Sequence, residues 1–192
     1  MNWRRRKDNI KEDIFITDKK FKIIYADPPW QYKTYSEKGK SRSAERHYPT
    51  MSKKEIQQLP VGRIADENSV LFLWVTAPFL EEGIELIRTW GFTYKTIAFT
   101  WVKKNKRQDS FFIGMGYYTR ANAEFCLLAT KGKILKRCSR SVSSLICSRI
   151  EQHSKKPDEA RKRIVRLFGD IPRIELFARE YENGWSCWGN EV

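Results

Sequence analysis

The stretch Ile23-Ile24-Tyr25-Ala26-Asp27-Pro28-Pro29-Trp30 decides how this chain is read. Residues 21–25, Phe-Lys-Ile-Ile-Tyr, form a branched and aromatic run with the length and composition of a buried strand. The run stops at a carboxylate, two prolines and a tryptophan. A proline donates no backbone hydrogen bond and restricts the residue before it, so a stiff, extended turn is expected at the carboxyl end of the strand. Open α/β sheets hold their ligands at that end. An acid, fixed carbonyls and a broad aromatic face there suit a planar ring bearing an exocyclic amine.

The segments around this strand repeat its class. Residues 69–76 (Ser-Val-Leu-Phe-Leu-Trp-Val-Thr) predict a second central strand. Pro78 is expected to open a helix that runs through Trp90, with Leu80, Ile84 and Ile87 as its apolar stripe and Gly91 as its stop. Residues 92–102 and 124–130 read as further strands. Ser52-Lys53-Lys54-Glu55 has the spacing of a capping box before a short helix. Pro157, Asp158 and Glu159 suit the first turn of another helix, with Ala160, Ile164, Leu167 and Phe168 inward. Residues 173–179 read as the last strong strand. Strands alternating with helices predict an α/β fold with a largely parallel central sheet.

A length of 192 residues suits one domain with a sizeable core. We divide it into residues 1–20, a basic arm or a segment covering the sheet, and residues 21–192, a single domain. Apolar residues make up 41% of the chain, including 7 Trp, 8 Tyr and 11 Phe, which excludes a disordered polymer. The formal net charge of +14 implies a polyanionic partner, nucleic acid before membrane, against the plainer reading of a basic soluble protein. No apolar run approaches membrane-spanning length, and Arg4, Arg5 and Arg6 have no apolar segment behind them, so no secretory signal is expected. Cys126, Cys138, Cys147 and Cys187 lack CxxC spacing, and only His47 and His153 accompany them. No metal site is expected, and reduced thiols point to a cytoplasmic protein.

Two basic stretches follow the organising strand and turn. The polar loop of residues 31–50 interleaves Lys33, Arg42 and Arg46 with Tyr32, Tyr35 and Tyr48, a composition that holds phosphates and stacks on bases. Lys103, Lys104, Lys106 and Arg107 form either a solvated loop or a second face for nucleic acid. The glycine and aromatic stretch 111–118 fits a lid.

Asp27-Pro28-Pro29-Trp30 is the signature shared by methyltransferases that act on amino groups. Five further stretches accompany it in order: residues 48–52 (Tyr-Pro-Thr-Met-Ser), 71–76, 101–103 (Trp-Val-Lys), 153–159 (His-Ser-Lys-Lys-Pro-Asp-Glu), and 174–179 followed by Trp188-Gly189-Asn190. Together they resemble the MT-A70 family of adenine-N6 methyltransferases, especially its compact bacterial and phage members, over about residues 21–191.

The resemblance implies a permuted Rossmann-like fold that uses S-adenosylmethionine, with the catalytic motif ahead of the segment that helps bind the cofactor. It implies that Asp27 and Pro28 meet the target amine, with Pro29 and Trp30 completing the motif. Asp27, Lys156, Arg179 and Asn190 are expected at the cofactor. Glu191 stands where the family often has glutamine and is a weaker candidate. Tyr48 matches an aromatic residue near the acceptor pocket, and with Tyr32, Lys33, Arg42, Arg46, Lys103 and Lys104 makes up the expected substrate contacts. The family's upstream aspartate has three candidates, Asp8, Asp13 and Asp18. Glu124 fits a supporting partner or a plain strand-edge residue.

The chemistry then needs no metal and no histidine base. The carboxylate of Asp27 accepts one N6–H bond, the carbonyl of Pro28 accepts the other, and both favour charge developing on nitrogen. The expected substrate is DNA, single-stranded or with a flipped adenine. RNA adenine and an accessory nucleic-acid-binding subunit are the alternatives, and a homodimer or complex partner would add recognition.

Overall fold

The computed structural model describes residues 10–31, 50–152 and 154–192. Eight strands form one sheet: β1 (Ile10–Lys11), β2 (Phe21–Ala26), β3 (Ala65–Thr76), β4 (Thr93–Lys104), β5 (Glu124–Lys131), β6 (Leu145–Arg149), β7 (Arg173–Leu176) and β8 (Ser186–Trp188). Their order is β1-β8-β7-β2-β3-β5-β4-β6. Every neighbouring pair is parallel except the two that involve β5, which runs against β3 and β4.

The expected α/β class and largely parallel sheet are therefore present. On one side of β2 lie β3, β5, β4 and β6 in that order, with the later β5 set between β3 and β4. The chain then crosses back to place β7 and β8 on the other side, where β1, from before β2, forms the edge beside β8. The order reverses between β2 and β7, and such a switch point opens a crevice at the carboxyl ends of the strands.

Strands buried on both faces read as unbroken apolar runs. On β3, Leu71, Leu73 and Val75 pack toward the face with α1 (Lys53–Gln57), α2 (Val61–Ile64) and α3 (Leu80–Thr89), while Val70, Phe72 and Trp74 pack toward α4 (Asp158–Phe168). The capping box of α1 forms as expected: Glu55 N–H donates to the Ser52 hydroxyl and Ser52 N–H to the Glu55 carboxylate. Trp74 Nε1 donates to the Tyr25 hydroxyl at 2.7 Å inside the core, so neither aromatic carries an unpaired polar tip.

Several expectations are corrected. A 3-10 turn, Ala77–Phe79, precedes α3, whose core face keeps Ile87 of the expected stripe buried and Ile84 half-buried, adds Gly83 and Leu86, and leaves Leu80 exposed. Gly83 lets the helix backbone lie directly on Val75 and Leu127. The strand expected over residues 173–179 ends at Leu176, because Phe177 turns away with φ of 61°. Lys103 and Lys104 finish β4 instead of starting a loop. Strands β1, β6 and β8 were not foreseen, and Arg161 joins Ala160 and Ile164 on the buried side of α4. Ile14 is fully buried, so residues 10–20 include part of the sheet's own packing.

Candidate active site

The crevice at the switch point is a cavity of about 660 Å³, bounded by the ends of β2, β3, β4, β5, β7 and β8. Strand β2 delivers Asp27 to its wall. The two prolines then fix the backbone as expected. Trp30 N–H donates to the Pro28 carbonyl at 2.9 Å and Met51 N–H to the Pro29 carbonyl at 2.9 Å. The Pro28 carbonyl is thus held in place by one donor and keeps a second lone pair.

Asp27 accepts from Lys156 Nζ through Oδ2 at 2.8 Å, and Oδ1 accepts no hydrogen bond from the described residues. Its side chain keeps 27% of its surface open, enough for a ligand to reach it. Lys156 Nζ also lies 3.2 Å from Glu124 Oε2, an ion pair off the hydrogen-bond direction, and Lys103 Nζ closes on Glu124 Oε1. Two carboxylates and two ammonium groups therefore alternate along the wall.

Glu124 reaches this position because β5 is reversed. Its amino-terminal residue pairs with Thr76 at the end of β3 and Trp101 near the end of β4. A glutamate opening an apolar strand was the signal in the sequence, but only the antiparallel pairing turns it into a site residue. Asn122 ties this corner together: it accepts from Lys103 N–H at 2.9 Å and donates to the Lys103 carbonyl at 2.9 Å.

The charges tune one another. Burial pushes the Asp27 carboxyl up, Lys156 pulls it back without cancelling the shift, and Glu124 adds to it. Burial disfavours the Lys156 ammonium, but Asp27 and Glu124 outweigh it and hold Lys156 protonated above the usual lysine range. Burial would also raise the Glu124 carboxyl, yet Lys156 and Lys103 bring it below the ordinary value.

Across the cavity, the turn after β7 meets the end of β8. Ala178 N–H donates to the Trp188 carbonyl at 2.9 Å, and a Cβ on Gly189 would stand 2.2 Å from the Ala178 carbonyl oxygen. Only a glycine fits between the two backbones. Arg179 Nε donates to Glu191 at 3.0 Å, and Asn190 lines the same wall.

The structure thus gathers Asp27, Pro28, Pro29, Trp30, Lys103, Lys156, Arg179, Asn190 and Glu191 around one cavity. Trp30 is 7% exposed, and Phe79 stacks on its ring at 5.4 Å, so it serves as wall as much as contact surface. Lys104 does not line the cavity and pairs with Asp109 at 2.7 Å. Asp13 is occupied in a local turn, accepting from Phe15 N–H at 2.9 Å. Tyr32, Lys33, Arg42, Arg46, Tyr48, Asp8, His153 and the arginines of residues 4–6 lie outside the described residues. Thr76, Phe112 and Phe177 also line the cavity and were missed, since nothing in the residue types marks them.

A family model described as MT-A70 matches residues 21–191. The chain belongs to the MT-A70 family. This MT-A70 protein is 37% identical over 204 residues to the type II methyltransferase M.MunI of a Mycoplasma species, covering 97% of this chain and 84% of that one. It is 30% identical over 177 residues to an N(6)-adenosine-methyltransferase MT-A70-like protein of Arabidopsis thaliana, and 30% over 176 residues to the human N(6)-adenosine-methyltransferase catalytic subunit METTL3. Those alignments cover 90% of this chain but only 24% and 28% of the relatives, so the chain spans about a quarter of their length. The expected family and its permuted, Rossmann-like fold are both borne out. Among the described residues no helix is long and apolar enough to cross a membrane.

Proposed function

We propose that this MT-A70 protein transfers a methyl group from S-adenosylmethionine to N6 of adenine in DNA. The observation that carries the proposal is a pair of acceptors at the end of β2. Asp27 Oδ1 and the remaining lone pair of the Pro28 carbonyl are both held rigidly beside one cavity. An amino group has two N–H donors, and this pair matches them.

The residues present fit the cofactor. An acid in the wall suits a cationic sulfonium, and Lys156 suits a carboxylate. Arg179, Asn190 and Glu191 offer donors and acceptors for hydroxyls, and the bare backbone at Gly189 leaves a close-fitting floor. S-adenosylmethionine supplies an electrophilic methyl group when bound there.

The chain's own residues then act on the amine. Adenine N6 is a poor nucleophile because the ring shares its lone pair. Hydrogen bonds to Asp27 and Pro28 draw the N–H groups into place, aim the nitrogen and stabilise positive charge as it grows there. The proton is lost after the nitrogen has become cationic, so no strong base is needed. Lys156 and Lys103 keep Asp27 and Glu124 ionised in a partly dry site.

Adenine inside a duplex cannot enter such a cavity without leaving the stack. DNA is favoured over RNA by the match to a type II methyltransferase along 84% of its length, against about a quarter of the adenosine-methyltransferase relatives. A cytoplasmic location and recognition completed by a second copy or a partner subunit belong to the same reading. The test is incubation with labelled cofactor and matched single-stranded DNA, duplex DNA and RNA, with the product nucleoside identified by mass. N6-methyldeoxyadenosine is expected. Transfer confined to RNA would overturn the choice of substrate, and nucleic-acid binding without transfer would overturn the enzyme.

A further inference from the structure

Between β4 and β5 the chain forms a strap, residues 105–123, that arches along the cavity mouth. Its base is fixed: Lys104 bridges to Phe111, Phe112 N–H donates to the Lys103 carbonyl at 2.9 Å, and Asn122 donates to the Phe112 carbonyl. Higher up, Gly114 N–H donates to the Ala121 carbonyl at 2.7 Å. At the tip the turn is so tight that a Cβ on Gly116 would stand 1.9 Å from the Thr119 carbonyl oxygen. The strap is a built hairpin-like loop, and its inner side, with Phe112, Gly114 and Gly116, lines the cavity.

Its tip carries two tyrosines that the fold leaves in water. Tyr117 and Tyr118 are 89% and 95% exposed, and their rings meet edge to face with centroids 5.0 Å apart. Tyr117 touches the cavity and Tyr118 lies beyond it. Exposed Arg120 follows them in the same turn, and Lys106 and Arg107 are exposed in the turn that starts the strap. Adjacent exposed aromatics in a fixed turn at a cavity rim mark a contact surface. The positive charge of Arg120 and continuity with the pocket for the target base both point to a nucleic-acid strand.

We infer that the strap tip is a base-stacking platform: Tyr118 stacks on the nucleobase next to the target adenine, and Tyr117 closes over the target itself. The division follows from which ring borders the cavity. Stacking on an aromatic ring is insensitive to base identity, because every base has a π-face. The tip therefore grips neighbouring sequence without reading it and fills the space that an extruded base vacates. This inference rests on the nucleic-acid substrate proposed above.

The test compares binding of a fluorescent mixed-sequence single-stranded DNA with that of a strand of equal length whose positions are all abasic, using wild type, Tyr118→Ala and Tyr118→Phe. Wild type is expected to prefer the strand with bases. Tyr118→Ala should lose about ten-fold of that preference, within the range of one lost stack. Tyr118→Phe should keep it, and the thermal midpoint should not move in either variant. The abasic strand should bind all three proteins equally, since phosphate contacts remain. An unchanged preference in Tyr118→Ala overturns the inference, as does a change in self-association with DNA binding intact, which would make the tip a protein-docking surface. Methyl transfer by the same wild-type preparation reports separately on the proposed function, because the binding ratio does not depend on turnover.

Discussion

Asp27 meets two opposed demands. It stabilises a growing positive charge through an N–H bond best when ionised, and burial beside Glu124 disfavours that ionisation. Lys156 settles the conflict from 2.8 Å. Transfer should therefore rise with pH through a raised Asp27 value, and the two neighbours should move this limb in opposite directions. Removing the positive charge with Lys156→Met is expected to shift the limb to higher pH. Removing the negative charge with Glu124→Gln is expected to shift it lower. Single-turnover rates against pH at saturating cofactor check both, and a limb that stays fixed in both variants would deny that Asp27 is the titrating group. Much of this site was legible residue by residue, because a carboxylate and two prolines after an apolar run have few other uses. The network around it was not. Glu124 and Lys103 are far from Asp27 in sequence, and their charges meet it only through the reversed direction of β5.

At the scale of elements, α3 depends on the absence of a side chain at one position. A Cβ on Gly83 would stand 2.5 Å from Val75 Cγ1, and a β-branched neighbour has little freedom at χ1 to withdraw. Gly→Ala inside a helix ordinarily gains about 0.8–1.0 kcal/mol. Here Gly83→Ala is expected to lose stability by about 1–3 kcal/mol through overpacking. Val75→Ala in the same chain should recover part of that loss, which denaturant unfolding of both variants would reveal. A second prediction concerns the docking of α4 on β7. Arg161 Nη1 donates to both oxygens of Glu175 at 3.0 Å. Burial nevertheless pushes the Glu175 carboxyl up to about 7 from an ordinary 4.5, with Arg161 pulling the other way. A folded value above the unfolded one means that the folded state holds the proton more tightly. Stability is then lost as pH rises from about 4.5 to about 7, with no further loss above it. The difference in melting temperature between wild type and Glu175→Gln should fall across that window, and a flat difference would refute the assignment. Strands β2, β3 and β4 were legible because long branched runs fit little else. Strand β8 is Ser-Cys-Trp and β6 is Leu-Ile-Cys-Ser-Arg, too short and mixed to carry a period, and both are strands only because a neighbour pairs with them. The stripe of α3 was legible at Ile84 and Ile87 but not at Gly83, because a pattern of apolar residues cannot register a face made of glycine.

For the whole molecule, the reversal of strand order between β2 and β7 brings the acceptor pair from one half of the chain to the proposed cofactor wall from the other. The charge of +14 gives the molecule a general attraction for phosphate. Affinity for DNA should fall linearly in a plot of log affinity against log salt, with a slope of about −0.7 per phosphate contact for a single strand. A salt-independent affinity would remove the electrostatic part of the account. The central claim is narrower: a carboxylate at the end of β2 and the carbonyl after it hold an adenine amine during methyl transfer. Single-turnover methylation by Asp27→Asn, with folding verified and both substrates saturating, tests it most directly. The account predicts a rate about 10²–10³ below wild type, the scale of losing one preorganised charge-stabilising group. A variant that forms N6-methyladenine at the wild-type rate would contradict it.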